Sequence, residues 1–200
     1  MKTISISGLD GSGKSTQIQL LQRHLESTKQ KVFYFHAVQF SIANILNNQK
    51  CTGRTCPSPT GHDDTKNITK ASWSKIQLRK IALFIDIFRF KSLIKKLEKD
   101  NYDYILTDRY FYDMIVNISY LSKKQYVPFF FTHITTPDHK FFLSTNPQDI
   151  MHRDNPPSQG ITYLEKKNKL FHEYNSLFHL MKIDGNREKG IIFNEIKTLT

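Results

Sequence analysis

The stretch ISISGLDGSGKSTQ, Ile4 to Gln17, sets the reading of the whole chain. A short run of alternating Ile and Ser leads directly into Gly8, Gly11 and Gly13. Gly8, Gly13, Lys14 and Ser15 satisfy G-x-x-x-x-G-K-[ST], the pattern of a phosphate-cradling loop set between a strand and a helix. The glycines let backbone N–H groups, that of Ser12 included, curl around phosphate oxygens, and the N-terminus of the following helix, with Thr16 in its first turn, adds a positive dipole end. Lys14 would reach the β and γ phosphates while the Ser15 hydroxyl helps hold magnesium. The pattern predicts a nucleoside triphosphate ligand but leaves open what becomes of the phosphate. Asp10, inside the loop, would be costly beside a triphosphate unless it serves an acceptor or a metal-bound water; otherwise it turns to solvent or caps a turn.

Working outward, apolar runs alternate between strand and helix spacing, which predicts an α/β fold with a parallel sheet and crossover helices. Strands are expected at Thr3–Ser7, Lys31–Val38, Tyr102–Thr107, His139–Thr145 and Leu180–Gly185. Ile18, Leu21 and Leu25 recur at helical spacing after the glycine loop, and Phe40–Leu46 reads as a short helix. Residues 47–70 are rich in Asn, Thr, Gly, Pro and Ser and read as a long polar loop. Helical spacing resumes near Ala71 with Ile76, Leu83, Ile87, Phe90 and Ile94, follows the third strand to about Thr132, and returns over Tyr163–Leu177 and in the terminal IIFNEIKTL. The segment Arg153–Gly160, basic and proline-containing, is expected to form a short lid.

Two hundred residues are enough for one domain over 1–200 with a substantial core. No run is long and apolar enough to span a bilayer, and the strand-like start at Thr3 leaves no room for a signal peptide, so a cytoplasmic protein is expected. Cys51 and Cys56 do not make a disulfide framework; with His62 they offer three zinc ligands but lack a fourth. The net charge of +11 favours anionic partners, which nucleotides satisfy as well as nucleic acid does. Lys91, Lys95, Lys96 and Lys99, and again Lys166, Lys167 and Lys169, fall in helical patterns and read as solvated faces.

A second constellation, Asp108-Arg109-Tyr110, closes the third strand at the sheet edge where α/β folds bind ligands. There Asp108 can orient magnesium and Arg109 can neutralise a transferring phosphoryl group, or the two form a structural ion pair. The histidines stand singly, and no Cys-His or Ser-His spacing points to covalent catalysis.

GLDGSGKST, LTDRY and KIDGNREKGIIFNEI, in that order, resemble the three landmarks of the thymidylate kinase family within the P-loop nucleoside monophosphate kinases. The resemblance spans essentially the whole chain. It implies a P-loop fold with a five-stranded parallel sheet, helices on both faces and a lid, and an ATP- and Mg2+-dependent transfer to a nucleoside monophosphate such as dTMP. On it, Asp10 would face the acceptor, Asp108 and Arg109 would serve magnesium and the bridging phosphates, and Arg153 would be the lid arginine. Phe84 would stack on the acceptor's base, Tyr110 would lie at the acceptor, and Asp184 and Gly185 would border the adenine. Family members are usually dimers, so a homodimer is implied.

Three departures bear on the acceptor. The family's arginine-bearing turn after strand two is here FHAVQFSIAN, with His36 and Gln39 in its place. The phosphate-binding arginine expected four residues after Phe84 is Phe88, and Arg89 is displaced by one, a rotation of about 100° on a helix. Asp113 and Asn117 stand where small or apolar residues are usual, and either read a different acceptor or cap the helix. Alternatives to a dTMP kinase are a kinase for a nucleoside or another phosphorylated metabolite, a non-catalytic nucleotide binder, and a P-loop ATPase on nucleic acid. The last lacks an apolar run ending in Asp-Glu and a basic-aromatic track.

Overall fold

The computed structural model describes residues 1–42 and 71–200. Its centre is β1 (Lys2–Gly8), flanked by β3 (Tyr104–Asp108) and β4 (His139–Ser144), with β2 (Val32–His36) and β5 (Met181–Asp184) outermost. All four pairings are parallel, in the order β2-β3-β1-β4-β5. The five strands lie where the apolar runs place them, with ends shifted by at most two residues.

Alternation along β1 divides the core. Ile4 and Ile6 point to one face and join Leu106, Phe141, Leu143 and Ile183 under α1 (Lys14–Ser27) and α7 (Lys189–Leu199), which contribute Ile18, Leu21, Ile192 and Ile196. The opposite face carries the larger cluster. Phe35, Ile105 and Phe142 of the sheet meet Leu83, Ile87 and Phe90 of α3 (Trp73–Lys99), Ile115 and Val116 of α4 (Phe111–Ser122) and Leu164, Phe171 and Tyr174 of α6 (Ile161–Phe178). Ser5 and Ser7 point to this second face and are wholly buried.

Two boundaries differ from the sequence expectation. Strand two stops at His36 because its Nδ1 accepts from the Gln39 N–H at 3.4 Å and caps α2 (Ala37–Phe40); most of the short helix expected over Phe40–Leu46 lies outside the described residues. Helix α4 ends at Ser122, about two and a half turns after Asp113 and well before Thr132, because Lys123 takes a left-handed conformation with φ 54°. Between it and β4 lies one 3₁₀ turn, Phe131–His133. Residues 47–70, with Cys51, Cys56 and His62, lie outside the described residues.

Asp113 ties this framework together. Its carboxylate, 1% exposed, accepts from Ser7 Oγ at 2.6 Å, from the Gly8 N–H at 3.3 Å and from the Tyr110 N–H at 2.9 Å. It thus fastens the start of α4 to the end of β1. Beyond β1, the glycine loop packs on α5 (Pro147–Met151) and the segment after it: a Cβ on Gly11, where φ is +78°, would come within 2.8 Å of Ile150 Cγ2 and 3.3 Å of Pro157 Cγ.

Asp113→Ala leaves three buried donors unpartnered, and urea unfolding is expected to show a loss of about 2–4 kcal/mol. Gly11→Ala and Gly160→Ala separate crowding from backbone strain, since Gly160 has a similar φ of +77° with nothing within 4 Å of its Cβ. Unfolding midpoints should place Gly160→Ala about 1 kcal/mol below wild type and Gly11→Ala lower still.

Candidate active site

Because the chain passes from β3 on one side of β1 to β4 on the other, the carboxyl edge of the sheet opens a crevice at β1. The glycine loop fills that crevice. Gly8, with φ 150°, lies so close to β4 that a Cβ there would sit 2.8 Å from the Leu143 carbonyl oxygen. Register does the rest: His36 of β2 lies level with Asp108 of β3, and Ile6 of β1 is level with Asp108 on the other side.

Lys14 is 4% exposed, and its Nζ donates to the Leu9 carbonyl at 2.5 Å and to Ser12 Oγ at 3.4 Å. Burial, aided by the Arg109 charge, pulls its pKa down to about 8 against the opposing pull of Asp10, Asp108 and Asp113. Ser15 Oγ donates to Asp108 Oδ2 at 2.5 Å, and the Tyr34 hydroxyl reaches the same oxygen at 3.3 Å. Burial also keeps the His36 imidazole below its ordinary range, with Asp108 opposing. Hydroxyl and carboxylate side by side are hard oxygen donors of the kind that hold magnesium together with phosphate oxygens. Among the described residues no group of three or more His, Cys, Asp or Glu side chains gathers as a metal cluster.

Arg109 has φ 65°, an uncommon conformation for a residue with a side chain. Its guanidinium pairs with Asp10 Oδ1. The other oxygen, Oδ2, accepts from the Tyr163 hydroxyl at 2.7 Å and lies 3.6 Å from Lys167 Nζ. Burial alone would raise the Asp10 carboxyl, but Arg109, Lys167, Lys14 and the Tyr163 hydrogen bond together hold it well below the usual carboxylate range. For Arg109, burial is outweighed by Asp10, Asp113 and Asp108, so it stays firmly charged.

Arg153 completes the ring of cations. Its guanidinium donates to the Gly11 carbonyl at 2.6 Å and to the Gly185 carbonyl at 3.3 Å, bridging the glycine loop and the turn after β5. Two cavities meet beneath it. One, of about 400 Å³, is lined by Lys14, Ser15, His36, Asp108, Arg109, Arg153, Asp154 and Asn155 among others. The second, of about 520 Å³, is lined by Ser12, Gln17, Leu143, Gly185, Arg187, Lys189 and Ile192, and shares Gly13, Thr16, Arg153 and Asp154 with the first.

The structure thus gathers Gly11, Gly13, Lys14, Ser15, Thr16, Asp108, Arg109 and Arg153 around one cavity, and Ser12 and Gly185 around its neighbour. Asp184 is exposed and caps its own turn by accepting from the Asn186 N–H at 3.0 Å. Four expectations are corrected. The Tyr110 side chain does not lie at an acceptor: it is wholly buried, with its hydroxyl donating to the Thr135 carbonyl. Asp113 spends its carboxylate on internal donors, so of its two expectations the cap describes it. Asp10 does not turn to solvent: its two oxygens are engaged by Arg109 and by Tyr163. Lys167 is no solvated lysine but 1% exposed against Asp10.

Phe84 and Arg89 line neither cavity. Phe84 sits in a cluster with Phe88, Phe129 and Phe130. Arg89 pairs with the buried Asp86 at 2.7 Å, donates to the Phe40 carbonyl at 2.9 Å and lies over the Phe40 ring. The sequence reading missed Tyr34 and Tyr163. Tyr163 and Lys167, four residues apart, lie on the buried stripe that Leu164, Phe171, Tyr174 and Phe178 also form. A lysine centred in such a stripe was the available signal.

No protein-family model matches the sequence, and a search of curated proteins gives no significant match. Among solved structures, a thymidylate kinase from Candida albicans superposes with a TM-score of 0.64 at 18% identity, covering 99% of this chain and 90% of that one. The chain therefore has the fold of that thymidylate kinase, a P-loop α/β architecture with the glycine loop at the carboxyl edge of a five-stranded parallel sheet.

Proposed function

We propose that the protein is a magnesium-dependent nucleotide kinase that moves the γ-phosphoryl group of ATP to a nucleoside monophosphate, with dTMP as the foremost acceptor. One observation carries the reading. Lys14, Arg109 and Arg153, from three separate parts of the chain, line a single cavity beside the Ser15–Asp108 pair. Phosphoryl transfer asks for little more than positioning and charge stabilisation, and this is a site built of both.

On this reading the amides of Gly8, Gly11, Ser12, Gly13 and Thr16 cradle the phosphates, and Lys14 swings from the Leu9 carbonyl to the β and γ oxygens. Ser15 and Asp108 would hold magnesium, which would supply neutralisation of phosphate charge. Arg109 and Arg153 stabilise charge on the group in transit. The cavity at Gly185 and Lys189 takes the adenosine half, bordered by Asp184. Phe84 and Arg89 on α3 would meet the acceptor's base and phosphate. A nucleotide substrate fits a cytoplasmic setting.

A second reading changes the acceptor. Arg89 already spends charge and donors on Asp86 and Phe40, and His36, kept neutral by burial, stands at the end of β2 where the family's arginine-bearing turn would begin. Both observations weaken the grip on a monophosphate and favour an acceptor without that charge. The Candida albicans enzyme is itself described as having broad substrate specificity, so a panel is the proper assay.

ADP release from MgATP should be measured against nucleoside monophosphates and nucleosides, with DNA as control, for wild type and Lys14→Ala. Turnover with dTMP above the other acceptors is expected, and Lys14→Ala should lower kcat/KM by on the order of 10²–10³. Activity with nucleosides alone would select the second reading. DNA-stimulated hydrolysis, or turnover indifferent to Lys14, would overturn the kinase.

A further inference from the structure

Lys167 and Tyr163 are buried at the phosphate site, yet the transfer just described assigns them nothing. The Lys167 ammonium donates to the Tyr163 hydroxyl at 3.1 Å, lies 3.6 Å from Asp10 Oδ2 and is 1% exposed. As packing this is expensive, since an apolar side chain of similar volume would fill the α6 stripe without desolvating a charge. The cation needs Asp10, and Asp10 already has Arg109.

The geometry shows what the second cation does. Tyr163 and Lys167 both occupy Oδ2, so Arg109 meets Asp10 through Oδ1. A carboxylate with both oxygens free takes a guanidinium fork to fork, consuming two of its N–H donors and fixing its plane. Arg109 lines the phosphate cavity, and donors spent on Asp10 are donors lost to phosphate.

We propose that Lys167, together with Tyr163, is a positioning residue: it holds Oδ2 of Asp10 so that Arg109 is anchored at one oxygen and keeps its remaining N–H groups for phosphate. Lys167 touches no phosphate itself. Helix α6, which carries both residues, begins directly after the Arg153–Gly160 segment. The inference rests on reading the cavity as a phosphate site, and it does not depend on the identity of the acceptor.

Binding of inorganic tripolyphosphate to the full chain, followed by calorimetry well below each variant's unfolding temperature, tests it. Lys167→Met should raise Kd about tenfold, Tyr163→Phe about threefold, and Lys167→Arg should stay within about twofold of wild type, with Lys14→Ala as the blank. A merely structural ion pair predicts lower melting temperatures with unchanged Kd in folded protein, and that result overturns the proposal. Should Lys167→Met fail to fold, Tyr163→Phe decides, because an unchanged Kd there is equally fatal. Wild type that binds tripolyphosphate but phosphorylates no nucleotide removes the proposed function and leaves this inference to the Kd series; wild type that binds none removes both.

Discussion

The candidate site depends on holding several cations close together at the glycine loop. Lys14, Arg109 and Lys167 are all drawn toward one partly buried carboxylate, Asp10, with Asp108 and Asp113 nearby. Desolvating so many charges is costly, and the structure meets the cost unevenly. Arg109, paired directly, is driven to stay charged. Lys14, with only a carbonyl and a hydroxyl as partners, is pulled down to about 8. Under the proposed function this lysine has the most to gain from a phosphate, because burial, with the Arg109 charge beside it, disfavours its cation.

The parallel sheet makes this arrangement possible. With β1 central and β3 and β4 on either side, the loop after β1 meets residues at the ends of both neighbours within one crevice. Alternation along β1 then assigns the faces. Isoleucines go under α1 and α7, and serines go under α4, where Ser7 can donate to Asp113. One carboxylate thereby fixes both the exit of β1 and the entry of α4, so the glycine loop starts from a rigid point and Arg109, one residue before the start of that junction, is held at positive φ. Strain in a single residue is tolerable where the surrounding hydrogen bonds over-determine it.

How much of this was legible follows from what kind of information each part needs. The glycine loop, the five strands and Arg109 are local signals: spacing, β-branched runs and a motif after a strand. The clasp on Asp10 is not local, because Tyr163 and Lys167 lie more than 150 positions away. Lysine in a helix reads as solvated by default, and only its place in the stripe with Leu164, Phe171 and Tyr174 argues otherwise. Asp113 was ambiguous for the opposite reason. A carboxylate five residues after a strand can cap or bind, and only the buried Ser7 and Gly8 donors decide between the two.

Asp86 extends the same logic to the acceptor. It lies in the buried stripe of α3 with Leu83, Ile87 and Phe90, fully enclosed, and accepts from Arg89 and from the Ile42 N–H at 3.2 Å. An acid so placed requires a cation, so the arginine on the next turn is first of all its counter-ion. That changes the meaning of the one-residue displacement of Arg89 along the helix. A free arginine turned by about 100° would be a misplaced phosphate ligand. An arginine held by Asp86 and the Phe40 carbonyl is instead a brace between α3 and the end of α2, and whatever charge it would offer an acceptor is what Asp86 leaves over. The cavities at the glycine loop are lined by several cations while the Arg89 charge is already matched by Asp86, and under the proposed function that asymmetry leaves the acceptor as the open variable.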